Sequence, residues 1–246
     1  MSQAPYEASP IEIRDDLAGA HRRAWKRIAS PGTWWNGAER VAIAAEARHA
    51  PNCDLCRRRK EALSPNAVQG RHDSLGKLPD NVVEVVHRVR TDPARLSQGW
   101  YKGILATGLS EEQYVETVAV VVHVVAMDTF TRGLGLPQTP LPGAEPGIPS
   151  RNRPAAKVSG AWVPWLEPKE MAAEIPDMFP PNRPVANIHR AMSLVPREVA
   201  SFFDVVNAQY LPGPAMRDFS REYRAITHAQ IELLAGRVSS INQCVY

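Results

Sequence analysis

Cysteine is scarce in this 246-residue chain: only Cys53, Cys56 and Cys244 are present, too few and too odd in number for a secreted disulfide framework. A reducing, cytoplasmic setting with one chemically used pair is expected. No basic segment followed by an apolar one opens the chain, so no secretory signal is expected. Long hydrophobic runs are missing too. The longest, Val118 to Met127, is broken by His123 and is about half of the roughly 20 residues a membrane span needs, so it reads as core and no membrane partner is expected. Charge of one sign is also lacking: 29 basic residues face 26 acidic ones, a balance that does not argue for nucleic acid. With 44% hydrophobic and 22% charged residues, wholesale disorder is excluded.

Proline, by contrast, is concentrated. Twelve of the 22 prolines fall between Pro137 and Pro184 and break any regular helix there. Trp162, Val163, Trp165, Met171, Met178 and Phe179 in the same stretch want burial, so an ordered irregular arm over residues 137–187 is expected rather than a flexible linker.

On either side, apolar residues recur three and four apart. Asp15 to Ala29 reads as a helix stopped by Pro31 and Gly32. Asn36 or Gly37 opens a second that ends before Pro51, and Asn52 is placed to cap a third beginning at Cys53. Asp80 caps a valine-rich helix and Asp92-Pro93 opens another. Ser110 to Gln113 is a capping box that starts a long helix closed by Gly133 and Gly135. Beyond the arm, helices are expected at Pro196 to Tyr210 and at Arg221 to Gln243, the last with Ile226, Leu233, Leu234, Val238 and Ile241 as its apolar stripe. The fold class is all-α, with helix caps overriding the strand preference of valine.

The most informative local feature is Cys53-Asp54-Leu55-Cys56, placed after a helix-ending proline. A helix N-terminus and the run Arg57, Arg58, Arg59, Lys60 both favour thiolate, so lowered thiol pKa values are expected. The spacing admits a reversible dithiol, half of a zinc site, or two small buried hydrophobes. Zinc is disfavoured, because two more ligands are needed and no second C-x-x-C or H-x-x-x-H pair exists. Only His49, His72 or His87 could contribute, and no metal or organic cofactor is expected. Proton carriers are sought among carboxylates and histidines. Glu39 and Glu46 lie seven apart on one helical face, and Glu46 sits among alanines, where burial would raise its pKa. Glu116 and His123 are likewise seven apart, with His123 either a core histidine satisfied by a backbone carbonyl or a relay aimed at the dithiol.

Two places carry a resemblance. One is Glu39-Arg40-Val41-Ala42-Ile43-Ala44, then Cys53-Asp54-Leu55-Cys56, then Gly108-Leu109-Ser110-Glu111-Glu112. The other is residues 230–246, where Glu232 runs into Cys244. Together they resemble the alkylhydroperoxidase D and carboxymuconolactone decarboxylase superfamily. The resemblance implies an all-α bundle that forms homo-oligomers and reduces hydroperoxides through a C-x-x-C pair, as an antioxidant oxidoreductase recharged by a thiol reductant. It implies that Cys56 attacks, Cys53 resolves and an upstream glutamate accepts the proton. It also implies an alternative, a cofactor-free lyase or isomerase using His123 and Glu116 on a small acid, or a silent member of the fold. The family's histidine four residues after the second cysteine is Lys60 here, and the second copy stops at Tyr246 before a second cysteine. The helical segment 1–136 carries the C-x-x-C motif. Residues 188–246 resemble the front of a family domain and residues 38–136 the back, so residues 188–246 are expected to pack with residues 38–136 as one unit, with the arm wrapped between them.

Overall fold

The computed structural model describes Tyr6, residues 9–179 and residues 185–244. The opening five residues, residues 180–184 of the arm, and Val245 and Tyr246 of the carboxyl-terminal motif lie outside the described residues. Among the described residues the chain is helical and contains no strand; one isolated antiparallel bridge joins Lys157 and Trp165.

Helices α1 (Asp15–Ala29) and α2 (Gly37–His49) occur where the apolar spacing predicts them. Asn36 caps α2 in a reciprocal box, its side chain accepting from the Glu39 N–H while Glu39 accepts from the Asn36 N–H. A 3-10 turn (Ala50–Asn52) leads into α3 (Asp54–Glu61), so Cys53 rather than Asn52 occupies the cap position. Helix α4 (Asp80–Thr91) begins one residue after its Pro79 cap, making Asp80 its first residue. Asp92 and Pro93 open only a 3-10 turn (Pro93–Arg95), and the next helix, α5 (Gln98–Ala106), is capped by Ser97. The Ser110 and Gln113 capping box starts α6 (Glu111–Gly133), which Gly135 ends at a positive φ of 69°.

Beyond α6 come α7 (Pro168–Glu174), α8 (Asn187–Arg190), α9 (Pro196–Gln209), α10 (Gly213–Met216) and α11 (His228–Ile241). Helix α11 starts seven residues later than the expected start at Arg221, because Thr227 and Gln230 form its capping box. Leu233, Leu234, Val238 and Ile241 on that stripe are exposed.

The core gathers α1, α2, α4, α5 and α6, joined by Leu194, Val195 and Val205 from beyond the arm. Helix α4 packs on α2 and α6, and α9 packs on α1 and α6. Val82, Val83, Val85 and Val86 in α4 and Val120, Val121 and Val124 in α6 are buried, which is where the strand-favouring residues gain enough by burial to accept helical geometry. Among the described residues one helix, Glu111–Gly133, has the length and composition to cross a membrane, but 67% of its apolar window is buried inside the fold. It is the central core helix.

The arm is ordered against the body. Glu145 donates its N–H to the Ala29 carbonyl, and Ser150 and Arg151 donate to Gly32 and Thr33. Trp165, Met171 and Phe179 are buried as expected, whereas Trp162 remains 43% exposed. Leu166, Met171, Ile175 and Phe179 pack with Val199 and Phe203 of α9.

Candidate functional site: a buried cluster of two cysteines and two histidines

Pro51 ends the α2 segment in a 3-10 turn, and the chain re-enters a helix at Asp54, which puts Cys53 at the cap and Cys56 one turn in. Both face inward, 1% and 3% exposed. Opposite them, α4 brings His87, and the loop between α3 and α4 brings His72. His87 Nδ1 lies 3.2 Å from Cys56 Sγ, and His72 Nδ1 lies 3.4 Å from Cys53 Sγ and 3.5 Å from Cys56 Sγ. The four donor atoms all lie within 4.8 Å of one another.

Each histidine is backed by a carboxylate on its far nitrogen. His87 Nε2 is 2.8 Å from Glu46 Oε1 of α2, with both side chains fully buried. His72 Nε2 is 2.7 Å from Glu84 Oε2 of α4. A carboxylate accepts only, so each Nε2 carries the proton and each Nδ1 turns its lone pair toward the sulfurs. Glu84 also accepts from Arg59 and from Trp100 Nε1. Burial opposes its charge, but the hydrogen bonds from His72, Arg59 and Trp100 outweigh it and bring its pKa down to about 2.

The His72 loop is tied at three points. Asp73 accepts from the Asp54 N–H at the start of α3, and Ser74 Oγ and the Leu75 N–H both donate to Glu46 Oε2. Glu46 therefore orients His87 with one oxygen and anchors the loop carrying His72 with the other. At the other end of α3, Arg95 donates to the carbonyls of Arg59, Lys60 and Ala62.

The expectation of lowered thiol pKa does not hold for Cys56. Burial pushes its thiol up to about 12, with a hydrogen bond to Thr91 and the Arg59 charge opposing and the neighbouring Cys53 adding to the rise. The cations after the motif are engaged elsewhere: Arg57 and Arg58 pair with Asp54, and Arg59 turns inward to Glu84. Burial also lowers the pKa of His87, against the hydrogen bond to Glu46 that favours its charged form.

Of the residues singled out in the sequence, Cys53, Cys56 and Glu46 meet in this site. Glu39 is spent on the α2 cap. His49 sits at the end of α2 with its ring centroid 6.5 Å from that of His87, and the cluster draws on His72 and His87 instead. His123 joins a second buried group, its Nδ1 donating to the Ala119 carbonyl and its ring edge-on to Phe202. Glu116 lies in that group as well, ion-paired to Arg40, which also holds Glu198 at 2.9 Å. The Thr33 and Trp34 N–H groups both donate to Glu116. The sequence passes over Glu84, and it offers His72 and His87 only as possible contributors to a disfavoured zinc site. The signal for two of them was the spacing Glu84-x-x-His87, which sets both on one face of α4.

No protein-family model matches the chain, and no curated protein or solved structure matches it.

Proposed function

We propose that the chain is a cytoplasmic, thiol-dependent oxidoreductase that reduces hydroperoxides through Cys56 and Cys53, in the manner of the alkylhydroperoxidase-like proteins it resembles, working as a homo-oligomer. The observation that carries this reading is the unbroken line from the Glu46 carboxylate through the His87 ring to the Cys56 sulfur, at 2.8 and 3.2 Å. A thiol with a raised pKa becomes a nucleophile only with a base beside it, and a neutral imidazole held by a carboxylate is such a base.

In the cycle, His87 Nδ1 takes the Cys56 proton as sulfur attacks the distal peroxide oxygen. The O–O bond breaks, the leaving alkoxide takes that proton back from His87 and departs as an alcohol, and Cys56 becomes a sulfenic acid. Cys53 then attacks that sulfur, forming the disulfide and releasing water. A dithiol reductant returns both residues to thiols. Lys60 in place of the family's histidine is accommodated, since His87 and His72 arrive from elsewhere in the chain.

The test is mass analysis of reduced, metal-free protein after hydroperoxide. Wild type is expected to form the Cys53–Cys56 disulfide, and Cys53→Ser to stop at a sulfenic acid on Cys56 that a dione probe captures. Both thiols remaining free in folded wild type would sink the reading.

A further inference from the structure

We propose that Cys53, Cys56, His72 and His87 bind one zinc ion in a closed tetrahedral site, and that the metal staples α3 and the His72 loop onto α4. The dithiol chemistry above uses one histidine and one carboxylate. The site has two of each, arranged alike, and the second pair needs its own explanation.

Zinc bonds of about 2.3 Å to sulfur and about 2.0–2.1 Å to nitrogen imply sulfur-to-nitrogen edges near 3.5 Å in a tetrahedron. The three contacts between cysteine sulfur and histidine nitrogen are 3.2, 3.4 and 3.5 Å. Both histidines present Nδ1 inward, and both give the far N–H to a carboxylate, which fixes tautomer and ring orientation as the outer shell of a zinc ligand does. Two thiolates neutralise the ion, and soft sulfur with imidazole selects zinc over magnesium or calcium. Four protein donors, with Cys53, Cys56 and His87 buried and the His72 side chain 8% exposed, leave no position for water. The role is therefore structural. Helix α3 has eight residues, too few to hold in isolation, and four of them are basic, so a cross-link at its first turn has a clear use.

Zinc binding stands on donor geometry and goes beyond the hydroperoxide reading; zinc-bound sulfurs are shielded, so turnover belongs to the metal-free state. The test uses the full chain, reduced, stripped of metal and kept anaerobic, with no peroxide present. Zinc is titrated against a chromophoric chelator, and cobalt(II) is added separately as an optical probe. One metal per chain is expected, with a thiolate-to-cobalt charge-transfer band and the intense visible bands of a tetrahedral ion. Cys53→Ser/Cys56→Ser should lose that band. Glu84→Gln keeps all four ligands and should retain the stoichiometry while weakening zinc about 10- to 100-fold, which separates outer-shell support from gross misfolding. Weak cobalt bands without charge transfer in wild type, or equal zinc affinity in wild type and Glu84→Gln, would overturn the proposal.

Discussion

His87 stands between a fully buried carboxylate and a thiol, and everything it does depends on which nitrogen carries the proton. Glu46 fixes that choice. In metal-free protein, His87→Gln is therefore expected to slow hydroperoxide-driven loss of thiols on the order of 100-fold or more, the usual worth of a positioned base. Stopped-flow thiol assays would measure it, and an unchanged rate would remove His87 from the mechanism. The second buried group has a structural task. Arg40 is 1% exposed and holds Glu116 and Glu198 together, so Arg40→Met leaves two buried carboxylates without their cation. A loss of about 3–5 kcal/mol in denaturant unfolding is expected. His21 sets a pH dependence. It is enclosed by the Tyr6 hydroxyl, the Gln209 amide and the Phe130 ring, and burial lowers its pKa to about 4. The unfolded chain titrates at about 6.5, so the unfolded state binds the extra proton between those values. Its contribution is complete above pH about 6.5 and is lost as pH falls toward about 4. Between pH about 7 and about 5, wild type should lose about 2 kcal/mol more than His21→Gln in urea titrations.

Two helices were legible from reciprocal caps, whereas Asp92 and Pro93 announced a helix and opened only a 3-10 turn. Asn36 with Glu39, and Ser110 with Gln113, form the reciprocal boxes their spacing implies. Ser110→Ala should cost about 1 kcal/mol, read from the shift in denaturation midpoint, because α6 is the helix on which α2, α4 and α9 pack. Apolar periodicity alone placed α1 correctly but misled at the carboxyl end: Ile226 fits the stripe of α11, yet residues 221–226 lie before its cap at Thr227. Within the site, Cys53, Cys56 and Glu46 were readable because a motif and an alanine-rich helix marked them. His72 was not. It lies in a loop without periodicity, and what brings it to the cysteines is the Asp73, Ser74 and Leu75 contacts to α3 and Glu46, a tertiary arrangement no local pattern encodes.

At the scale of the molecule, the proline-rich arm clasps the turn after α1 through Glu145, Ser150 and Arg151 and sends Leu166, Met171 and Phe179 into contact with α9. Helix α9 in turn packs on α1 and α6. Segments before and after the arm therefore share one core, and limited proteolysis within the arm is expected to yield fragments that stay associated and unfold together. Two independently stable pieces would contradict this. The claim that joins residue, element and fold is that two cysteines and two histidines converge on one point. Its most direct test is the peptide-mapped oxidation state of Cys53 and Cys56 after hydroperoxide, measured on the same preparation with and without one equivalent of zinc. A Cys53–Cys56 disulfide in the metal-free protein and reduced thiols in the zinc-loaded protein are predicted. Thiols that stay reduced in both, or oxidise equally in both, would contradict the account.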